Sequence, residues 1–185
     1  MQILPAWQFL TIVPLPVRHK AKPEDMGQSL GYFPLVGLTL GLVLAGLYWL
    51  LRLILPLPLV NALLVVALIV LTGALHLEGF IDTCDGVPYA GSPEDRLRIM
   101  SDSRTGSFGV IGGCCLVLLK YVSLATVPGD LRIVALILMP TISRWAMVYA
   151  VFGSPPARKT GIGAAVKQQA NWRKMGVATV IALIP

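Results

Sequence analysis

The stretch His76-Leu77-Glu78-Gly79-Phe80-Ile81-Asp82-Thr83-Cys84-Asp85-Gly86 decides how this chain is read. It follows directly on the apolar run Leu59 to about Leu77, and if the helix of that run continues into it, its acids share one face. At about 100° per residue, Glu78, Asp82 and Asp85 at i, i+4 and i+7 point within roughly 60° of one another. Like charges stacked on one helix face repel by about a few tenths of a kcal/mol per exposed pair, and by more when desolvated. Something positive is expected to face them, and a hard divalent cation suits carboxylate oxygens. The alternative is a solvated acidic helix end. The chain has only nine acidic residues, and three of them share this face where an apolar segment meets water, which favours a metal.

The surrounding composition sets the class. Of 185 residues, 56% are hydrophobic and 13% charged, with a mean hydropathy of +0.76. A soluble domain of this length has no use for so much apolar side chain. The unbroken apolar runs exclude a membrane barrel, whose strands alternate. The chain is expected to be an all-α, polytopic transmembrane helical bundle forming one membrane-embedded domain. The net charge of +6 then reads as basic loops facing anionic lipid and attracting a phosphorylated substrate, not as a nucleic-acid surface. Cys114 and Cys115 read as small core residues. Cys84 lies about 140° from the carboxylate face and reads as packing. No disulfide framework is indicated.

Four full spans are expected. Met1 to Val17 is apolar but broken by Pro5, Pro14 and Pro16, and reads as a helix lying in the membrane interface. It has no basic leader or cleavage site, so it is not a signal peptide. Arg18 to Asp25 is a polar, basic loop. Leu30 to Leu55 is the first span, with Gly37, Gly41 and Ala45 forming a face for close helix approach. Leu59 to about Leu77 is the second. Glu78 to Arg104 reads as a long polar loop in which Ser92 caps a short helix, Pro93 sits at its first position and Glu94 and Asp95 lie in its first turn. That helix would carry Asp95, Arg98 and Asp102 on one face and bring Asp102 back over the first cluster; an Arg98–Asp102 surface pair is the alternative. Gly106 to Val127 is the third span, with Gly106, Gly109 and Gly112 again marking close packing. Leu131 to Phe152 is the fourth. Gly153 to Lys174 is polar and basic, and Gly176 to Pro185 is a truncated fifth apolar segment, too short to cross.

Under this map Arg18, Lys20, Lys22, Arg96, Arg98, Arg104, Arg158, Lys159, Lys167, Arg173 and Lys174 share one side, which is eleven of the fifteen basic residues. The positive-inside rule places that side, both termini and the acidic loop in the cytoplasm. Lys120 and Arg144 fall inside spans, where a charge costs about 2.5–3.5 kcal/mol on insertion scales. They are expected to line a polar cavity that holds phosphate. Lys120 can alternatively snorkel, and a buried carboxylate partner is the alternative for either.

Two motifs now carry a resemblance. Gly73-Ala74-Leu75-His76-Leu77-Glu78-Gly79-Phe80-Ile81-Asp82-Thr83-Cys84-Asp85-Gly86 and Arg98-Ile99-Met100-Ser101-Asp102-Ser103-Arg104-Thr105-Gly106-Ser107-Phe108-Gly109 together resemble the signature of the cobalamin synthase (adenosylcobinamide-GDP ribazoletransferase) family. Phe9-Leu10-Thr11, Phe33-Pro34-Leu35-Val36-Gly37 and Ser143-Arg144-Trp145 are similar to its flanking pattern. The resemblance spans nearly the whole chain. It departs at Glu78, where the family commonly has Asp, and family members usually continue through further C-terminal spans that are expected to be lacking here.

The resemblance implies a Mg²⁺-dependent transferase of vitamin B12 synthesis in the plasma (inner) membrane of a prokaryote. A ribose hydroxyl of α-ribazole, or of its 5′-phosphate, would attack adenosylcobinamide-GDP and release GMP, giving adenosylcobalamin or its 5′-phosphate. Glu78, Asp82, Asp85 and Asp102 would hold the metal, and Asp82 or Asp85 would accept the hydroxyl proton. His76, Ser103, Arg104, Lys120 and Arg144 would bind substrate, His76 from the opposite helix face. Membrane lipid is the other expected partner, nucleic acid is not one, and a homo-oligomer is left open.

Two other classes compete. A CDP-alcohol phosphotransferase of lipid synthesis shares Asp82-Thr83-Cys84-Asp85-Gly86, but Tyr89-Ala90 stands where its pattern has Ala-Arg, and its second aspartate pair is missing. A small cation carrier would place acids deep within spans, whereas all nine lie in loops or near span ends.

Overall fold

The computed structural model describes residues 3–15 and 22–185. Arg18, Lys20 and the rest of 16–21, together with Met1 and Gln2, lie outside the described residues, and so do those parts of the expected interfacial helix and basic loop. Among the described residues the chain is helical with no strand. It forms two compact units, Met1–Leu55 with Pro128–Pro185, and Pro56–Val127.

In the first unit, α1 (Ile3–Leu10) and α2 (Pro23–Gln28) precede a single 3-10 turn, Leu30–Tyr32. That turn runs straight into α3 (Phe33–Leu51), where Pro34 occupies a position whose missing N–H costs nothing. The N-terminal helix is present: α1 buries Ala6 and Leu10, and Phe9 packs on Phe33 with ring centroids 6.0 Å apart.

The second unit begins with α4 (Leu57–Leu71). It continues through α5 (Leu75–Gly86) and α6 (Pro93–Ile99) to α7 (Ser107–Thr126). The chain then returns to the first unit as α8 (Arg132–Gly153), α9 (Ile162–Gln168) and α10 (Trp172–Ala182).

Glycine makes the α3–α8 contact possible. A β-carbon at Gly37 would meet the Pro140 carbonyl and come within 2.8 Å of Thr141 Cα, and one at Gly41 would lie 2.6 Å from Ile137 Cα. Backbones this close gain dispersion contacts that larger side chains would prevent. Around the seam, Phe33, Val36, Leu40 and Leu44 of α3 and Leu136 and Val148 of α8 are buried. Helix α10 joins α8 through Trp145 Nε1, which donates to Thr179 Oγ1 at 3.0 Å. The polar, basic tract Gly153 to Lys174 contains α9, and α10 starts at Trp172, where the Asn171 side chain accepts the Lys174 N–H at 3.0 Å.

Among the described residues, three helices are individually long and apolar enough to cross a membrane: Leu30–Leu51, Ser107–Thr126 and Arg132–Gly153. The second expected span differs. Helix α4 stops at Leu71, and the chain turns by 89° into α5, so α4 and α5 qualify as a span only as a bent pair. The stop is a Schellman closure. Ala74 N–H donates to Ile69 O at 2.8 Å and Gly73 N–H to Val70 O at 2.9 Å, with Gly73 at φ 59° and Ala74 at φ 58°. The carboxylates therefore belong to a separate twelve-residue helix and not to the end of a span. The stretch Glu78 to Gly86, read above as the start of a loop, is likewise helical.

Candidate active site

Helix α5 carries Glu78, Asp82 and Asp85 in one continuous helix, so the i, i+4, i+7 relationship holds. Its other side meets α7. Ile81 lies against Gly113, and Cys84 Sγ lies where a β-carbon of Gly112 would be, which is the packing role expected of Cys84. Cys114 and Cys115 are exposed, contrary to the core reading, because the packed face of α7 is the glycine face. A groove of about 690 Å³ runs between α4, α5 and α7; Val65, Leu77, Ile81, Val110 and Val117 make it apolar.

The acids have unlike surroundings. Glu78 is exposed and Asp82 half-buried. Neither carboxylate has a hydrogen-bond or ion-pair partner among the described residues. Asp85 is engaged on both oxygens: Gly106 N–H donates to Oδ2 and Gly109 N–H to Oδ1, each at 2.7 Å. Gly106 is the N-cap of α7 and supplies no capping side chain, so Asp85 caps that helix from 21 residues away. A β-carbon on either glycine would collide with the Asp85 carboxylate. Sequence periodicity missed this link. Its signal was a helix start with glycine at both the N-cap and the third position and no Ser, Thr, Asp or Asn in the cap.

Helix α6 starts as expected: the Ser92 side chain accepts the Asp95 N–H at 3.1 Å. Its hydroxyl in turn donates to Asp95 Oδ2 at 2.7 Å, which holds the Asp95 carboxyl below its ordinary range. Helix α6 ends at Ile99, so Asp102 is not on its face with Asp95 and Arg98. Arg98 pairs with Asp95 at 3.0 Å in place of Asp102. Asp102 pairs with Arg104 at 2.9 Å, whose hydrogen bonds pull the Asp102 carboxyl down to about 2 and raise the guanidinium in return. Ser103, between them, is exposed. Asp102 and Gly106 are four positions apart, so their Cα atoms are no more than about 14 Å apart. The pair therefore stands in the short loop that leads to the Asp85 cap.

Three other candidates are elsewhere. His76 sits half-buried in the first turn of α5. Lys120 is half-buried on α7, roughly 21 Å along the axis from Gly106 at about 1.5 Å per residue. Arg144 belongs to the first unit. It is 3% exposed, and its Nη1 donates to Ser143 Oγ at 2.8 Å. Its Nε and Nη2 have no hydrogen-bond partner, and no carboxylate pairs with it among the described residues.

No three His, Cys, Asp or Glu side chains among the described residues converge to hold an ion. The donor chemistry fits magnesium in its usual mode, in which one or two carboxylates bind the ion and substrate phosphate and water complete the shell. Glu78 and Asp82, unpartnered on one face of α5, are such a pair.

Comparison with known proteins gives a uniform result. The chain matches the cobalamin-5-phosphate synthase family over residues 2–185. It is 42% identical over 179 residues to the adenosylcobinamide-GDP ribazoletransferase of Geotalea daltonii, covering 97% of this chain and 72% of that protein. The protein of the same name from Desulfitobacterium hafniense is 40% identical, with 92% and 70% covered, and that from Pseudomonas putida is 36% identical, with 98% and 77% covered. No solved structure matches. With both signature motifs inside the matched region, the CDP-alcohol and carrier readings fall away, and the chain belongs to the cobalamin-5-phosphate synthase family.

Proposed function

We propose that this integral membrane protein joins α-ribazole, or its 5′-phosphate, to adenosylcobinamide-GDP. A ribose hydroxyl oxygen forms a bond to the cobinamide-side phosphorus, the P–O–P bridge breaks, and GMP leaves with the bridging oxygen. The product is adenosylcobalamin or its 5′-phosphate. The observation that carries this reading is the pair of partnerless carboxylates on α5, Glu78 and Asp82, within a chain matched to the family along its length.

Glu78 and Asp82 would hold Mg²⁺, and Asp102, in the loop before α7, would join them only by moving from Arg104. When bound, the ion would stabilise negative charge developing on the diphosphate oxygens. Asp82 would also accept the hydroxyl proton, since its carboxylate has no competing donor while both oxygens of Asp85 do. Arg104, once released from Asp102, offers a fork of N–H donors suited to phosphate. Ser103 offers a hydroxyl beside it, and His76 a further hydrogen-bonding group. Lys120, remote along α7, would serve another anionic part of a large substrate. The concentration of basic residues on the side of the acidic loop supports a cytoplasmic site in a prokaryotic plasma membrane. The exposed apolar residues of α7, among them Val110, Ile111, Leu118 and Leu119, would meet lipid.

The test is direct. Membranes containing the protein, incubated with α-ribazole, adenosylcobinamide-GDP and Mg²⁺, are expected to release GMP and form cobalamin in equal amounts. Asp82→Asn is expected to abolish turnover with expression and insertion intact. Loss of the folded protein in that variant would assign Asp82 to structure instead.

A further inference from the structure

Asp85 occupies a distinct place on α5. By helical angle it lies between Ile81, which packs on Gly113, and Glu78, which is exposed. Both its oxygens accept backbone N–H groups of the first turn of α7. That turn carries the positive end of the helix dipole, so the carboxylate is already neutralised in part. The carboxylate also packs directly on the α7 backbone, because Gly106 and Gly109 leave no room for a β-carbon beside it. The two hydrogen bonds also close the segment 85–106, which holds α6 and the Asp102–Arg104 pair.

We propose that Asp85 is a positioning residue that clamps α5 to the N-terminus of α7 and so closes the segment that carries Asp102 and Arg104, and that it binds neither the ion nor the substrate. The kinetic part of this inference rests on the transfer reaction proposed above; the clamp itself does not.

The experiment pairs amide hydrogen exchange with kinetics on the purified protein in lipid discs. In Asp85→Asn one oxygen becomes an NH₂ group, so one of the two glycine N–H groups loses its acceptor. Exchange at Gly106 and Gly109 is expected to rise by about tenfold or more, the factor that a hydrogen bond to a charged group carries. Turnover is expected to fall by about tenfold, with KM and the Mg²⁺ half-saturation point unchanged within about twofold. Asp82→Asn is expected to do the reverse: exchange at the two glycines unchanged and turnover lost. Gly106→Ala keeps every carboxylate but places a β-carbon 2.9 Å from Asp85 Cγ. It is expected to reproduce the Asp85→Asn signature, and it carries the test if Asp85→Asn does not insert. Unchanged exchange at Gly106 and Gly109 overturns the proposal. So does a shift of about tenfold or more in the Mg²⁺ half-saturation point of either variant, the mark of a lost or displaced ligand. If the wild-type protein shows no transfer, the proposed function fails, and the exchange measurement alone still decides the clamp.

Discussion

Arg104 grips the Asp102 carboxylate with three donors: its backbone N–H at 3.0 Å and Nε at 3.2 Å on Oδ1, and Nη2 at 2.9 Å on Oδ2. The grip holds the Asp102 carboxyl at about 2 against an ordinary 3.8. A carboxyl depressed in the folded state contributes stability above its unfolded pKa and loses it as pH falls through the folded value. The pair is therefore expected to be intact above about pH 4 and lost near pH 2. Arg104→Gln removes the side-chain donors and keeps the backbone N–H, so it is expected to raise the Asp102 midpoint toward the ordinary carboxylate range without reaching it, read by carboxyl-carbon NMR. Both side chains are solvent-exposed, so global stability is expected to change little.

The α3–α8 seam makes a prediction about size alone. Gly37→Ala and Gly41→Ala each press a methyl into opposing backbone, and each is expected to destabilise the fold by about 1–3 kcal/mol. Gly46, with open space around it, is the control. Gly46→Ala is expected to leave thermal stability in detergent unchanged or slightly raised through helix propensity.

The bend between α4 and α5 stores strain at one residue. Ala74 holds φ 58°, where an L side chain crowds its own backbone. Ala74→Gly is expected to be neutral or to stabilise by up to about 1 kcal/mol. Gly73→Ala, at φ 59°, is expected to cost about 1–2 kcal/mol and to loosen the Schellman closure. Calorimetry or steric-trapping measurements on the two variants check the opposite signs.

A buried guanidinium with two idle donors is costly. Among the described residues no carboxylate offsets the desolvation of Arg144, so Arg144→Met, similar in length and apolar, is expected to stabilise the ligand-free protein by about 1–4 kcal/mol. If Arg144 meets substrate phosphate, inorganic diphosphate is expected to raise the melting temperature of the wild type and not of Arg144→Met. Equal shifts in both would remove Arg144 from the substrate contacts.

Much of the architecture was legible in the residues. The apolar runs of α3, α7 and α8 read as spans because lipid requires continuous apolar side chain and internally paired backbone. Gly37 and Gly41, and Gly106, Gly109 and Gly112, read as close-approach faces because small residues at helical spacing leave a groove along one side. Ser92-Pro93 read as a helix start because its hydrogen bonds are local. Gly73 was also available as a stop. The apolar residues Ala74, Leu75 and Leu77 that follow it kept the hydrophobic pattern running, and the pattern concealed the stop.

By itself the sequence determined the class of molecule, the apolar runs of α3, α7 and α8 and which face of α5 bears acid, since these follow from composition and from 3.6 residues per turn. Only the tertiary structure decided which acid is free. Asp85 and Asp82 are equivalent in any periodic reading, yet Asp85 finds the amides of Gly106 and Gly109 while Asp82 finds none. Asp102 takes Arg104, where the helix pattern expected it over the first acidic cluster with an Arg98 pair as the alternative, because α6 ends three residues earlier. Hydrogen bonds of this kind join groups distant in the chain, and whether they form depends on where a bend of 89° sends the next helix, which no local spacing encodes.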